Sequence, residues 1–161
     1  MMKKYVAFLV ILLILCGCAK RDPIGYTLGV DVSYGTVMNH RDDHGGFHGD
    51  GLLAVTVSFS KEQSGDLISK FQQTSGWHSF PMSENVCSAL YGNGSRGALI
   101  LGEDMDPLPE IKEGWYFFRD RHPRAEDPFE DSALFSRGSF NVTLAVFDSE
   151  TGMLYFYELD T

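Results

Sequence analysis

Residues 140–159 restrict this chain to a small set of folds. Two apolar runs, Phe140–Phe147 and Met153–Leu159, flank Asp148-Ser149-Glu150-Thr151-Gly152. Turn-forming residues between two strand-like runs specify an antiparallel hairpin. Side chains alternate along a strand, so Tyr155 and Tyr157 share one face and Leu154 and Phe156 the other.

The same period of two recurs upstream. Tyr26, Leu28, Val30, Val32 and Tyr34 alternate with small or polar residues, which predicts a half-buried strand. Leu53, Val55, Val57 and Phe59 predict a second, and Gly114–Arg119, with four consecutive aromatics, a third. Ser60 and Gln63 have capping-box spacing and predict a helix from Lys61, with Leu67, Ile68 and Phe71 as its buried stripe and Gly76 as its stop. Gly65 weakens that helix by about 1 kcal/mol relative to alanine. Ser83 and Gly92 bracket a second short helix, Glu84–Tyr91, with Val86, Cys87 and Leu90 turned to the core. Segments 37–51 and 120–136 read as loops. The sum is about five strands and two short helices, an α+β domain with the helices packed on one face of an antiparallel sheet. No alternating βαβ series is present, which argues against a doubly wound sheet.

The N-terminus reads as an address. Lys3 and Lys4 precede an 11-residue apolar run, Tyr5–Leu15, which is too short to span a bilayer and suits the core of a secretory signal. The run ends in Leu15-Cys16-Gly17-Cys18-Ala19. Leu at −3 and Gly at −1 make Cys18 the expected lipidated cysteine; Cys16 would have bulky Leu15 at −1. The expected organisation is a signal peptide over 1–17, a lipidated tether over 18–25 and one domain over 26–161. The mature chain would lose both leader lysines, leaving 11 basic against 22 acidic residues, a charge of −11. Acyl chains would hold it at the extracytoplasmic face of the cell membrane. Cys87 would be the one remaining free thiol, so no internal disulfide is expected. The acidic balance speaks against nucleic acid, whose phosphates need a basic patch.

Two stretches carry candidate chemistry. Segment 39–51 gathers His40, His44 and His48 with Asp42, Asp43 and Asp50. Imidazole and carboxylate suit zinc and other divalent metals, so His44, His48 and Asp50 form a candidate metal set if the glycines fold the loop back. In a metal-dependent hydrolase Asp42 or Asp43 would supply the general base. The second stretch begins Arg119-Asp120-Arg121-His122. Arg119, Arg121 and His122 are candidate ligand-binding residues, since an arginine at a sheet edge can bind an anion or carboxylate bidentately.

Other patterns fail on context. Gly92-Asn93-Gly94-Ser95-Arg96-Gly97 spells a dinucleotide fingerprint but follows a helix, so it reads as a turn. Cys87 reads as a buried, inert thiol. Asn141-Val142-Thr143 spells a glycosylation sequon inside a strand. The acidic group Glu103-Asp104-Met105-Asp106 reads as a solvated loop.

The lipobox, the Asp43-His44-Gly45-Gly46-Phe47-His48-Gly49-Asp50-Gly51 loop and the closing Leu154-Tyr155-Phe156-Tyr157-Glu158-Leu159-Asp160-Thr161 together resemble a group of small uncharacterised lipoproteins of Gram-positive bacteria. The resemblance implies location at the membrane surface and no particular activity or cofactor. The expected function is a tethered binding or interaction module for a surface protein or small molecule. The Tyr-rich final strand is one candidate edge for a partner. The alternative is a metal-binding protein or metal-dependent hydrolase.

Overall fold

A computed structural model describes residues 22–45, 49–100 and 105–161. Their order is α1 (Pro23–Leu28), β1 (Thr36–Asp42), β2 (Gly51–Ser58), α2 (Lys61–Phe71), β3 (Trp77–Ser79), α3 (Glu84–Tyr91), β4 (Gly114–Asp120), β5 (Asn141–Asp148) and β6 (Met153–Asp160). Six strands form one sheet in the order β1-β2-β6-β5-β4-β3, and every neighbouring pair is antiparallel. The class is α+β. The C-terminal hairpin lies inside the sheet, pairing Asn141 with Asp160 through Asp148 with Met153. Because β6 lies between β5 and β2, the Tyr-rich strand offers no free edge. Among the described residues the edges are β1 and the three-residue β3.

Both helix boundaries read from capping residues hold. Ser60 and Gln63 close a complete capping box on α2, and the Ser83 hydroxyl accepts from Val86 N at the start of α3. α2 ends at Phe71, before Gly76, with Gln72 as its cap. Segment 92–97 is a turn, closed by Asn93 N–H donating to Arg96 O at 3.0 Å.

The first expected strand is replaced by a helix and an irregular run. The Asp22 carboxylate accepts from Gly25 N at 2.9 Å, Pro23 occupies the first helical turn and Gly29 closes α1 at φ 69°. A β-carbon is disfavoured in that left-handed conformation. This helix also takes up part of the segment expected as a tether. The alternation itself is real: Leu28, Val30 and Val32 are buried while Gly29 and Asp31 are exposed. It serves a segment lying across a sheet face, where the other oxygen of Asp22 accepts from Val32 N at 2.9 Å. Alternating burial therefore did not require a hydrogen-bonded ladder. Conversely, β1 lies where a loop was expected. Six of its seven residues are exposed and the other is half-buried, so an edge strand wet on both faces left no apolar period to read.

The helices do not share a face as expected. On one side α1 and α2 contribute Leu28, Leu67 and Phe71 to a core with Val55, Phe117, Phe147 and Phe156. On the other, α3 contributes Val86, Ala89 and Leu90 to a core with Leu52, Phe118, Leu144 and Tyr157. The reason lies in β5, whose residues 142–147 are all buried. A sheet with large apolar groups on both faces would leave one side wet under a single helical layer, at about 1.5–3 kcal/mol per exposed large side chain. α3 is also rotated from its expected phase. Ala89 faces inward and Cys87 is exposed, so Cys87 is a surface thiol and not a buried one.

Candidate functional site

The two polar stretches singled out above, 39–51 and 119–122, meet in space. The register explains how. Gly51 pairs with Asp160 across β2–β6, and Asp160 with Asn141 across β6–β5. Arg121 N–H donates to Asn141 O just beyond the end of β4. Arg121, Asp160 and the end of β1 with His44 thus gather at one end of the sheet. A β-carbon on Gly51 would fall 2.7 Å from His44 N, so this close approach requires glycine.

The centre of the cluster is His44. Its Nδ1 lies 2.7 Å from Asp42 Oδ1 and its Nε2 3.3 Å from Asp160 Oδ2. The His44 backbone N–H also donates to Asp42 Oδ1, at 3.1 Å. Arg121 grips Asp160 with both terminal nitrogens, Nη1 to Oδ1 at 3.0 Å and Nη2 to Oδ2 at 3.1 Å. Asp43 holds the neighbouring backbone, accepting from Leu52 N at 2.6 Å, with Arg41 Nη2 3.7 Å away. Two carboxylates alternate with two cations when His44 is protonated. Both ring nitrogens then donate, leaving no lone pair for a substrate proton. The arrangement is a clamp that joins His44 and Asp42, at the end of β1, to Asp160 of the C-terminal strand.

The clamp has a definite pH window. Partial burial opposes the charge on His44, but hydrogen bonding and attraction to Asp42, then Asp160, outweigh it. His44 therefore titrates above its ordinary 6.5. Asp42, bonded first by the His44 ring and then by the His44 backbone, titrates below its ordinary 3.8. The raised histidine adds stability that is complete below its unfolded value and lost as pH rises through its folded one. The depressed aspartate adds stability complete above its unfolded value and lost as pH falls through its folded one. The clamp is thus tightest between those two ordinary values. Urea midpoints of the wild type should fall relative to those of His44→Gln as pH is raised from about 6 to about 9. Parallel profiles for the two proteins would show that the carboxylates do not hold the ring.

The other candidate residues fall as follows. Asp50 is exposed and contributes its backbone carbonyl, which accepts from Gly45 N at 3.2 Å. His48 and Cys18 lie outside the described residues. Among the described residues no three His, Cys, Asp or Glu side chains converge to hold a metal. Arg119 stands opposite Thr143 in the β4–β5 ladder. His122 ends β4 in a turn, its N–H donating to Asp120 Oδ1 at 2.9 Å and its Nδ1 accepting from Arg124 N at 3.2 Å. Sequence reading passed over Asp160, which joins the two stretches. It is 116 residues from His44, and no spacing rule connects them.

The second feature is the β1 edge. On it Val37 and Met38 are 58% and 62% exposed, and a register shift between Val37 and Asn39 marks a bulge at Met38. No helix among the described residues is long and apolar enough to cross a membrane. No protein-family model, curated protein or solved structure matches the chain.

Proposed function

We propose that the chain is an extracytoplasmic lipoprotein, tethered to the cell membrane through Cys18, that binds a partner polypeptide along β1. The observation that carries the reading is the seven-residue β1 edge, which pairs only with β2 among the described residues and holds Val37 and Met38 in solvent. A strand edge offers main-chain donors and acceptors to an added strand, and flanking apolar side chains add affinity. The bulge and the charged end at Arg41 and Asp42 limit indiscriminate edge pairing, as exposed strands require. The location is supported by the lysine pair, the short apolar run and the Leu-x-Gly-Cys ending, and by the resemblance to Gram-positive lipoproteins.

Both halves are testable on the full chain in cells. Cys18→Ser should abolish incorporation of labelled fatty acid, whereas Cys16→Ser should retain it; the reverse result would move the anchor. A photo-crosslinking residue at Met38 should yield a discrete protein adduct on intact cells. The same residue at exposed Glu150, on the β5–β6 turn, should not. Equal yields at the two positions would end the β1 reading.

A further inference from the structure

A cleft of about 340 Å³ lies on the α3 side of the sheet, roofed by Met105–Pro109. Its floor is built by register. Arg41, Ala54 and Tyr157 stand in one row across β1, β2 and β6, and Asn39, Thr56 and Tyr155 in the next. Ala54 is the small residue between larger ones, and it opens the space between Arg41 and Tyr157. The volume suits a ligand of one or two rings.

Tyr157 points to an occupant. It is 6% exposed and lines this cleft. No hydrogen bond from its hydroxyl is present among the described residues. Burial, and then the neighbouring Tyr155 and Tyr91, push its phenol far above the usual range, so the proton stays on. With its proton held, the Tyr157 hydroxyl can donate a hydrogen bond to a ligand oxygen in the cleft.

The remaining chemistry narrows the class. Asn39 and Thr56 supply both donors and acceptors, and the half-buried Tyr155 ring supplies a flat apolar face. Arg41 is balanced by Asp43 at 3.7 Å and by Asp106 on the roof, so the cleft has no surplus positive charge for a phosphate. We propose that this cleft binds a neutral saccharide ring, its C–H face against Tyr155 and its hydroxyls on Asn39, Thr56 and the Tyr157 hydroxyl. The cleft shares Asn39 and Arg41 with β1 but lies on the face of the sheet rather than along its hydrogen-bonding edge, and small-molecule probes test it without a polypeptide partner.

The test is saturation-transfer NMR on the full chain in a detergent without sugar headgroups, with N-acetylglucosamine as the neutral probe and glucuronate as the anionic one. Saturable transfer to the ring protons of N-acetylglucosamine is expected. Tyr157→Phe deletes one oxygen and keeps the ring packing, and should weaken that binding about tenfold, the value of one hydrogen bond. Thr56→Val, of similar shape, should weaken it in the same direction. Circular dichroism melts of both variants would confirm that they fold. Absence of transfer to the neutral sugar would overturn the proposal, and so would undiminished binding by folded Tyr157→Phe. Transfer to glucuronate alone would also overturn it, assigning the cleft to carboxylates through Arg41.

Discussion

Truncating Phe71 to alanine is expected to cost about 4 kcal/mol, in the middle of the range for a buried aromatic. Phe71 is 1% exposed and ends α2 against the sheet. Its ring stacks on Trp77 with centroids 3.7 Å apart and meets Phe147 edge-on at 5.5 Å. Trp77 in turn donates from its indole to Leu28 O at 3.0 Å, which ties α1 to β3. One truncation therefore loosens α1, α2 and the β3 edge together. Aromatic pairs add about 0.5–1.5 kcal/mol each beyond area burial. The surrounding rings are rigid, so the hole collapses poorly, which is the condition for a large cavity penalty. Against a typical domain stability of about 5–15 kcal/mol this is a major loss. Urea unfolding of the Phe71→Ala and Phe71→Leu proteins measures it, with the leucine variant retaining most of the stability. A loss below about 1 kcal/mol for alanine would mean that α2 does not seat on the sheet through this residue.

Arg137→Ala is expected to destabilise the fold by about 3–5 kcal/mol, although it removes no core side chain. Asp120 is 4% exposed at the end of β4. Its carboxylate accepts from His122 N and pairs with the Arg137 guanidinium. Without Arg137 the carboxylate remains buried with one backbone donor, and an uncompensated buried charge costs more than the pair contributed. Arg137→Met combined with Asp120→Leu removes both charges and should recover most of the loss. That recovery separates a charge penalty from a packing penalty. If Arg137→Ala melts with the wild type, segment 121–140 does not depend on this ion pair for its attachment to the sheet.

How much of the molecule can be read in its residues varies with the physics involved. The start of α2 and both ends of α3 were legible because capping is local: Ser60, Gln63, Ser83 and Gly92 act within four residues of the groups they satisfy. The β5–β6 hairpin was legible for the same reason. The strand expected over 26–34 failed because burial with a period of two has more than one cause. Leu28, Val30 and Val32 face a sheet that they do not join. β1 was invisible because an edge strand in water needs no apolar residues. The phase of α3 was misjudged by one position because Val86, Cys87 and Leu90 and Val86, Ala89 and Leu90 are nearly equivalent stripes. Only the opposing sheet face chose between them.

The candidate chemistry divides along the same line. Residue types in segments 39–51 and 119–122 marked both as polar concentrations. Their meeting through Asp160 came from the antiparallel register of β2, β6 and β5. The tyrosines of β6 were visible as a face, but the cleft above them required Met105–Pro109 to cross the sheet.

From sequence alone, then, came the antiparallel α+β class, the starts of α2 and α3, the central hairpin and the composition of the polar segments. Each rests on interactions between residues a few positions apart. Tertiary structure decided the two-sided core, the edge position of β1, the His44–Asp160–Arg121 clamp and the cleft over Tyr157. Each depends on which distant strands become neighbours, and that is chosen by burying both faces of one sheet at once.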